Sequence, residues 1–227
     1  PSTCTLGSVT MANLPDGYNL TDGTLNISAV TSSNTSGTDT VSAGILLSHA
    51  ASTTATITQT RGGTLILSGP IASTNAITGL SFTAAAGTGS ATFTLSGNNS
   101  YSGTTTLNSN EIVNINNAFA ISSGTLIFNG SATIDNTSAT ANLVLQNNNI
   151  NLSGGSLTYT GTSGNSLNFG SGTLTISGSN RTATINGGTV TIGNIDADTT
   201  ARTFTKAGAN GTLIITNAAG ANFQGGF

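Results

Sequence analysis

The chain has 227 residues, only 5 % of them charged, with four Lys and Arg against seven Asp and Glu. Average soluble domains carry roughly 25 % charge, so disorder driven by charge repulsion is excluded, as is an ordinary surface coated in Lys and Glu. The basic residues Arg61, Arg181, Arg202 and Lys206 are too few to neutralise a run of phosphates, and no stretch approaches about 18 apolar residues, which excludes nucleic-acid binding and a helical membrane span.

What remains is a surface of Thr, Ser, Asn and Gly, hydrated but nearly uncharged. Such a surface offers weak net repulsion and suits packing against copies of itself. The single cysteine, Cys4, has no internal partner, which leaves an idle thiol or a bond to a second chain. A start at Pro1 fits either a removed signal peptide or an excised fragment; low charge, no Trp and abundant Thr, Asn and Gly fit a secreted or cell-surface product.

In chain order, residues 1–20 come first and lack the rhythm of the rest of the chain. They hold the turn signal Pro15-Asp16-Gly17 and read as a cap or as a strand donated to a second chain by β-augmentation. Residues 21–217 then repeat one phrase: Gly, Thr or Ser, an apolar residue, any residue, an apolar residue. It appears as Gly23-Thr-Leu-Asn-Ile27, Gly63-Thr-Leu-Ile-Leu67, Gly124-Thr-Leu-Ile-Phe128, Gly155-Ser-Leu-Thr-Tyr159, Gly172-Thr-Leu-Thr-Ile176, Gly188-Thr-Val-Thr-Ile192 and Gly211-Thr-Leu-Ile-Ile215. Looser copies start at Gly89 and Gly103. Apolar residues two apart share one side of a strand, and a leading Gly permits the tight turn that starts it. A strand this short buries its apolar side only by stacking. Spacings near 20 residues predict a solenoid of roughly ten rungs and on the order of 50 Å long at about 4.8 Å per rung. Helix signals are confined to single turns around Met11–Leu14 and Asn116–Ile121. The last segment, 218–227, is a small-residue tail carrying Phe223 and Phe227. The expected fold is thus all-β, a single-domain parallel β-helix; the alternative is a β-sandwich or jelly roll of antiparallel sheets.

Thr92-Phe-Thr-Leu-Ser-Gly-Asn-Asn-Ser-Tyr-Ser-Gly-Thr-Thr-Thr-Leu-Asn108 resembles the repeat of bacterial autotransporter passenger domains. The matching positions are Leu95, Ser96, Gly97, Asn98, Asn99, Tyr101, Gly103, Thr104 and Thr105. The chain departs from that pattern in having one Gly where two are usual, and Asn110-Glu111 where Ala-Gly is usual. The close match spans about 20 residues; the neighbouring Gly-Thr-Leu strands resemble the repeat more loosely. The resemblance implies a right-handed parallel β-helix exported to the cell surface, with no catalytic residue in the repeat itself.

Chemistry-bearing residues are sparse. His49 is the only histidine and has no carboxylate near it in sequence, so it reads as a surface or loop residue rather than a base. The carboxylates Asp16, Asp22, Asp39, Glu111, Asp135, Asp196 and Asp198 are scattered, whereas glycoside hydrolysis needs a close pair. Only Asp196-x-Asp198 resembles a calcium-ligand spacing, and it reads as a solvated loop. No catalytic, cofactor or metal residue is assigned. Ser, Thr and Asn are abundant enough that the sequons at Asn19, Asn26, Asn34, Asn98, Asn129, Asn136, Asn151, Asn180 and Asn210 carry no information. Thr-x-Thr pairs at Thr56, Thr173, Thr189 and Thr203 suit an ice-binding array and ordinary outward strand positions alike. Tyr18, Tyr101 and Tyr159 are weak candidates for a sugar-stacking platform.

The outward position of the phrase holds Ile66, Ile127 and Ile214 in three copies, suggesting a contact face covered by a loop or by a neighbouring subunit. A stack of strands leaves open edges at both ends, and neither terminus shows an amphipathic capping helix. These features predict a secreted subunit that forms a head-to-tail homopolymer, a filament or coat, using Ile66, Ile127, Ile214, Phe223, Phe227 and Cys4. The alternative is a monomeric adhesin rod binding a surface glycan or host; an enzyme is a distant third reading.

Overall fold

The computed structural model describes residues 2–47, 54–74, 79–198 and 200–217. Each coil of the chain turns three corners, and successive coils lie in register, so the strands collect into three flat faces of parallel sheet. The second face is a nine-stranded sheet that begins with Ser8–Met11 and ends with Asn194–Ala197. The third is also nine-stranded, from Asn19–Leu20 to Phe204–Ala207. The first face is divided into two four-stranded sheets, one from Thr3–Thr5 to Ile71–Ser73 and one from Asn142–Val144 to Thr212–Ile215. The fold is therefore a parallel β-solenoid of about 9 turns, not face-to-face antiparallel sheets.

Alternation decides the interior. In Thr173–Ile176 the burial runs intermediate, buried, intermediate, buried, as expected when side chains point to opposite faces of a strand. Stacked inward columns then make the core. On the second face Val30, Ile57, Phe82 and Leu107 continue into Phe128. On the third, Leu65, Phe93, Val113, Ile134, Tyr159 and Ile185 lie in line. The two columns meet where Phe82 and Phe93 pack edge to face, ring centroids 4.9 Å apart. Burying each such side chain is worth about 1.5–3 kcal/mol, and one continuous cluster runs the length of the coil.

The Gly-Thr-Leu phrase marks a strand rather than a coil. Its copies fall on all three faces: Thr24–Asn26 and Thr189–Ile192 on the first, Leu126–Phe128 and Thr173–Ile176 on the second, Thr64–Leu67 and Leu157–Tyr159 on the third. Coil length varies with the turns. Ala91 stacks on Glu111, 20 residues on, but Thr64 stacks on Thr92, 28 residues on. Residues 3–20, which lack the phrase, form the first coil, with Cys4 paired to Leu25, Val9 to Val30 and Leu20 to Val41. The two expected helical turns are instead a strand end at Met11 and a run of turns over 118–123; the one helical element among the described residues is a 3-10 turn at Thr162–Gly164.

Gly124 shows what the corners require. A Cβ there would lie 1.8 Å from the Gly103 carbonyl oxygen of the coil below, so only glycine lets adjacent coils approach this closely.

Side-chain amides stand in for backbone where the first face is interrupted. In the two middle coils, residues 96–104 and 116–125, no first-face strand forms. Asn99 fills the gap. Its Oδ1 accepts the Ile71 N–H at 2.8 Å and its Nδ2 donates to the Ala120 carbonyl at 2.6 Å, linking the coils on either side. Asn148 repairs the other side by donating to the carbonyls of Ser122 and Gly124 at 2.9 and 2.7 Å. At the corner between the second and third faces, Gln59 donates to the carbonyls of Asn34 and Thr60. Buried polar groups need such partners. Tyr101 is also part of this repair, its hydroxyl 2.6 Å from Thr105 Oγ1 in the core.

Candidate assembly surfaces at the two ends of the coil

The ends differ from the body in exposure. At the front, all of Thr3–Thr5 is exposed, including the free thiol of Cys4. Cys4 shares the inward column of Leu25, Ile45 and Ile71; it is exposed because no described strand stacks in front of it. Leu6 and Leu14 stand 43 % and 44 % exposed nearby. At the rear, Thr212–Ile215 alternates exposed and intermediate. Leu213 and Ile215 lie in the inward columns of Val190 and Ile192 but are only partly covered. Along both edge strands, backbone donors and acceptors on the outer side have no described strand to pair with.

Charge is unevenly placed along the axis. Residues 2–41, the first two coils, carry Asp16, Asp22 and Asp39 and no basic residue. Residues 173–215, the last two, carry Arg181, Arg202 and Lys206 against Asp196 and Asp198. Asp39 is fully buried; its Oδ1 accepts the Tyr18 N–H at 2.8 Å and its Oδ2 has no protein partner. Lys206 stacks on Ala183 in an inward column of the last coil, is exposed, and donates to the Gly208 carbonyl. Asp198 is saturated with donors: Arg202 makes two contacts at 3.1 and 2.9 Å, and the N–H groups of Gly178 and Thr200 add two more. The Arg202 hydrogen bond is the main cause holding the Asp198 carboxyl down to about 2. The neighbouring Asp196 faces outward, paired with Thr175. Among the described residues no group of three His, Cys, Asp or Glu side chains is placed to hold a metal ion.

In the body of the coil a carboxylic acid lies in an unusual place. Glu111 is 2 % exposed and points into the core in the column between Ala91 and Ala132. Its Oε2 accepts the Asn108 N–H at 2.7 Å, while Oε1 has no partner. Burial pushes this carboxyl up to about 8, only partly offset by the N–H groups of Asn108 and Ala84.

The other residues singled out in sequence are dispersed. Ile66 is on the third face, Ile127 on the second and Ile214 on the first, so the three share no contact face. Only Ile214, 44 % exposed, belongs to an end. Phe223, Phe227 and His49 lie outside the described residues. Tyr101 and Tyr159 are fully buried, which removes the sugar-stacking platform. The Thr-x-Thr pairs are spread over the faces: Thr56/Thr58 and Thr173/Thr175 lie on the second, Thr189/Thr191 on the first. Sequence shows Lys206, Asp39 and Glu111 only as charges. The alternation Phe204-x-Lys206 is the available sign that Lys206 sits in an inward register.

In comparisons with known proteins, no family model, no curated protein and no solved structure matches the chain.

Proposed function

We propose that the protein is a secreted structural subunit that stacks end to end, as a homopolymer, into an extracellular filament or surface coat. The observation that carries this reading is the pair of first-face strands that have no described strand on their outer side. Thr3–Thr5 at the front and Thr212–Ile215 at the rear carry no charge and present partly exposed core side chains. Open edges of this kind template pairing with another chain, and an acidic front meeting a more basic rear favours front-to-rear contact over front-to-front. A surface with few charges offers little repulsion to the growing stack.

A second reading has its own support. Lys206 is an inward-pointing charge on the rear edge strand of the third face, and the front edge strand of that face is only two residues long, Asn19–Leu20, both devices that blunt edges against pairing. Together with the autotransporter-like phrase at 92–108, they favour a monomeric rod displayed at the cell surface as an adhesin, its partner a host surface or glycan. Sedimentation velocity and negative-stain electron microscopy across a concentration series separate the two. Stacking gives particles whose lengths are multiples of one rod. Uniform single rods at every concentration refute assembly and leave the adhesin reading to be tested for glycan binding.

A further inference from the structure

The first and last described strands lie on the same face. Along the axis, the first face has four strands, two interrupted layers and four strands, ten in all, against nine on each of the others. The extra layer arises because the first described strand, Thr3–Thr5, and the last, Thr212–Ile215, both belong to the first face.

On the other two faces the front of the second, Ser8–Met11, is uncharged and partly exposed, but the remaining three edges are less available. At the rear of the second face, Asn194–Ala197 keeps the burial alternation of an interior strand, with Ile195 fully covered. At the rear of the third face, Phe204 is covered and Lys206 occupies the next inward position, which desolvates poorly against a stacked strand. The front of the third face is two residues long, Asn19–Leu20, and comes just after the Pro15-Asp16 turn. The first face alone is uncharged, extended and exposed at both ends.

Resting on the stacking reading, we propose that the partner is a second copy of this chain and that the seam is a single parallel strand pair, Thr212–Ile215 of one copy against Thr3–Thr5 of the next. The contact is heterologous, so it propagates without closing. It continues the first-face sheet across the junction and places the thiol of Cys4 against the inward side chains Leu213 and Ile215. Counted over the described residues, the other two faces are one layer short across the seam, a slot about one strand spacing, roughly 4.8 Å, deep.

The native thiol makes the seam testable. Leu213→Cys, Ile214→Cys and Ile215→Cys are each introduced, the proteins are oxidised under assembling conditions, and linked peptides are identified by mass spectrometry. Parallel neighbours whose side chains share a face fall within disulfide range, and side chains on opposite faces do not. The expected result is a ladder of oligomers in which Cys4 is joined to the thiol introduced at position 213 or 215, with at least tenfold less linkage to the thiol at position 214. Circular dichroism confirms that each variant is folded, and Cys4→Ser in each background abolishes the ladder. Equal linkage at all three positions, or none while the wild type still assembles, overturns the seam and leaves stacking intact. A wild type that is monomeric at every concentration overturns stacking itself, and the seam with it.

Discussion

Glu111→Gln is expected to stabilise the protein, and to do so only above acid pH. The carboxyl in the core lies between Ala91 and Ala132, with burial holding it up to about 8 against an ordinary 4.5. Below about pH 4.5 both the folded and the unfolded chain carry the proton, and the group costs nothing through ionisation. As pH rises, the unfolded chain gives up its proton while the folded chain retains it, so stability falls until the folded carboxyl ionises near pH 8. Proton linkage at about 1.4 kcal/mol per pH unit makes that loss roughly 3 kcal/mol by about pH 7 and roughly 4 kcal/mol by about pH 8. Gln keeps an oxygen to accept the Asn108 N–H and has no charge to desolvate. The assay is urea denaturation at about pH 4, 6 and 8, with hydrogen exchange at the Ala84 and Asn108 amides reporting on the central coils, because repeat arrays do not always unfold as one unit. A variant advantage that grows from near zero at about pH 4 to several kcal/mol at about pH 8 supports the placement of Glu111. An advantage independent of pH, or largest in acid, refutes it.

Three further substitutions probe the coil. Asn99→Leu strips partners from the Ile71 N–H and the Ala120 carbonyl and is expected to cost about 2–4 kcal/mol, as two buried groups lose their bonds; a melting temperature unchanged from wild type would show that the amide bridge is dispensable. Phe93→Ala removes the edge-to-face contact with Phe82 and opens a cavity in the central column, for a loss of about 3–5 kcal/mol in urea titration. Lys206→Thr removes the charge from the rear of the third face and is expected to raise light scattering at a given protein concentration; scattering equal to wild type means that Lys206 does not blunt that edge.

The strand interior is legible in sequence because alternation is local. Leu174 and Ile176 read as inward from five residues of sequence, and both are buried. Face assignment is not legible, since the same Gly-Thr-Leu phrase serves all three faces and only the intervening turns, which vary in length, say which corner comes next. Ile66, Ile127 and Ile214 therefore occupy one position of the phrase yet belong to three different sheets. The first coil is masked by chemistry: Thr-Cys-Thr-Leu alternates as the later strands do but lacks the leading glycine. Structural amides are hidden by abundance. Asn99 and Asn148 look like any other Asn in this chain, and only the missing first-face strands create the unmet backbone groups that they satisfy. Glu111 is hidden in another way, because a carboxylate in sequence advertises a surface, and its burial depends on the corner that Asn108 forms beside it.

The interrupted middle of the first face has a mechanical consequence. Tension applied along the rod is borne by the hydrogen bonds between neighbouring coils, and at residues 96–104 and 116–125 one of the three load-bearing sheets is replaced by a few amide contacts. Force-extension traces should show the first yield there, splitting the rod near its centre while the sheeted halves hold.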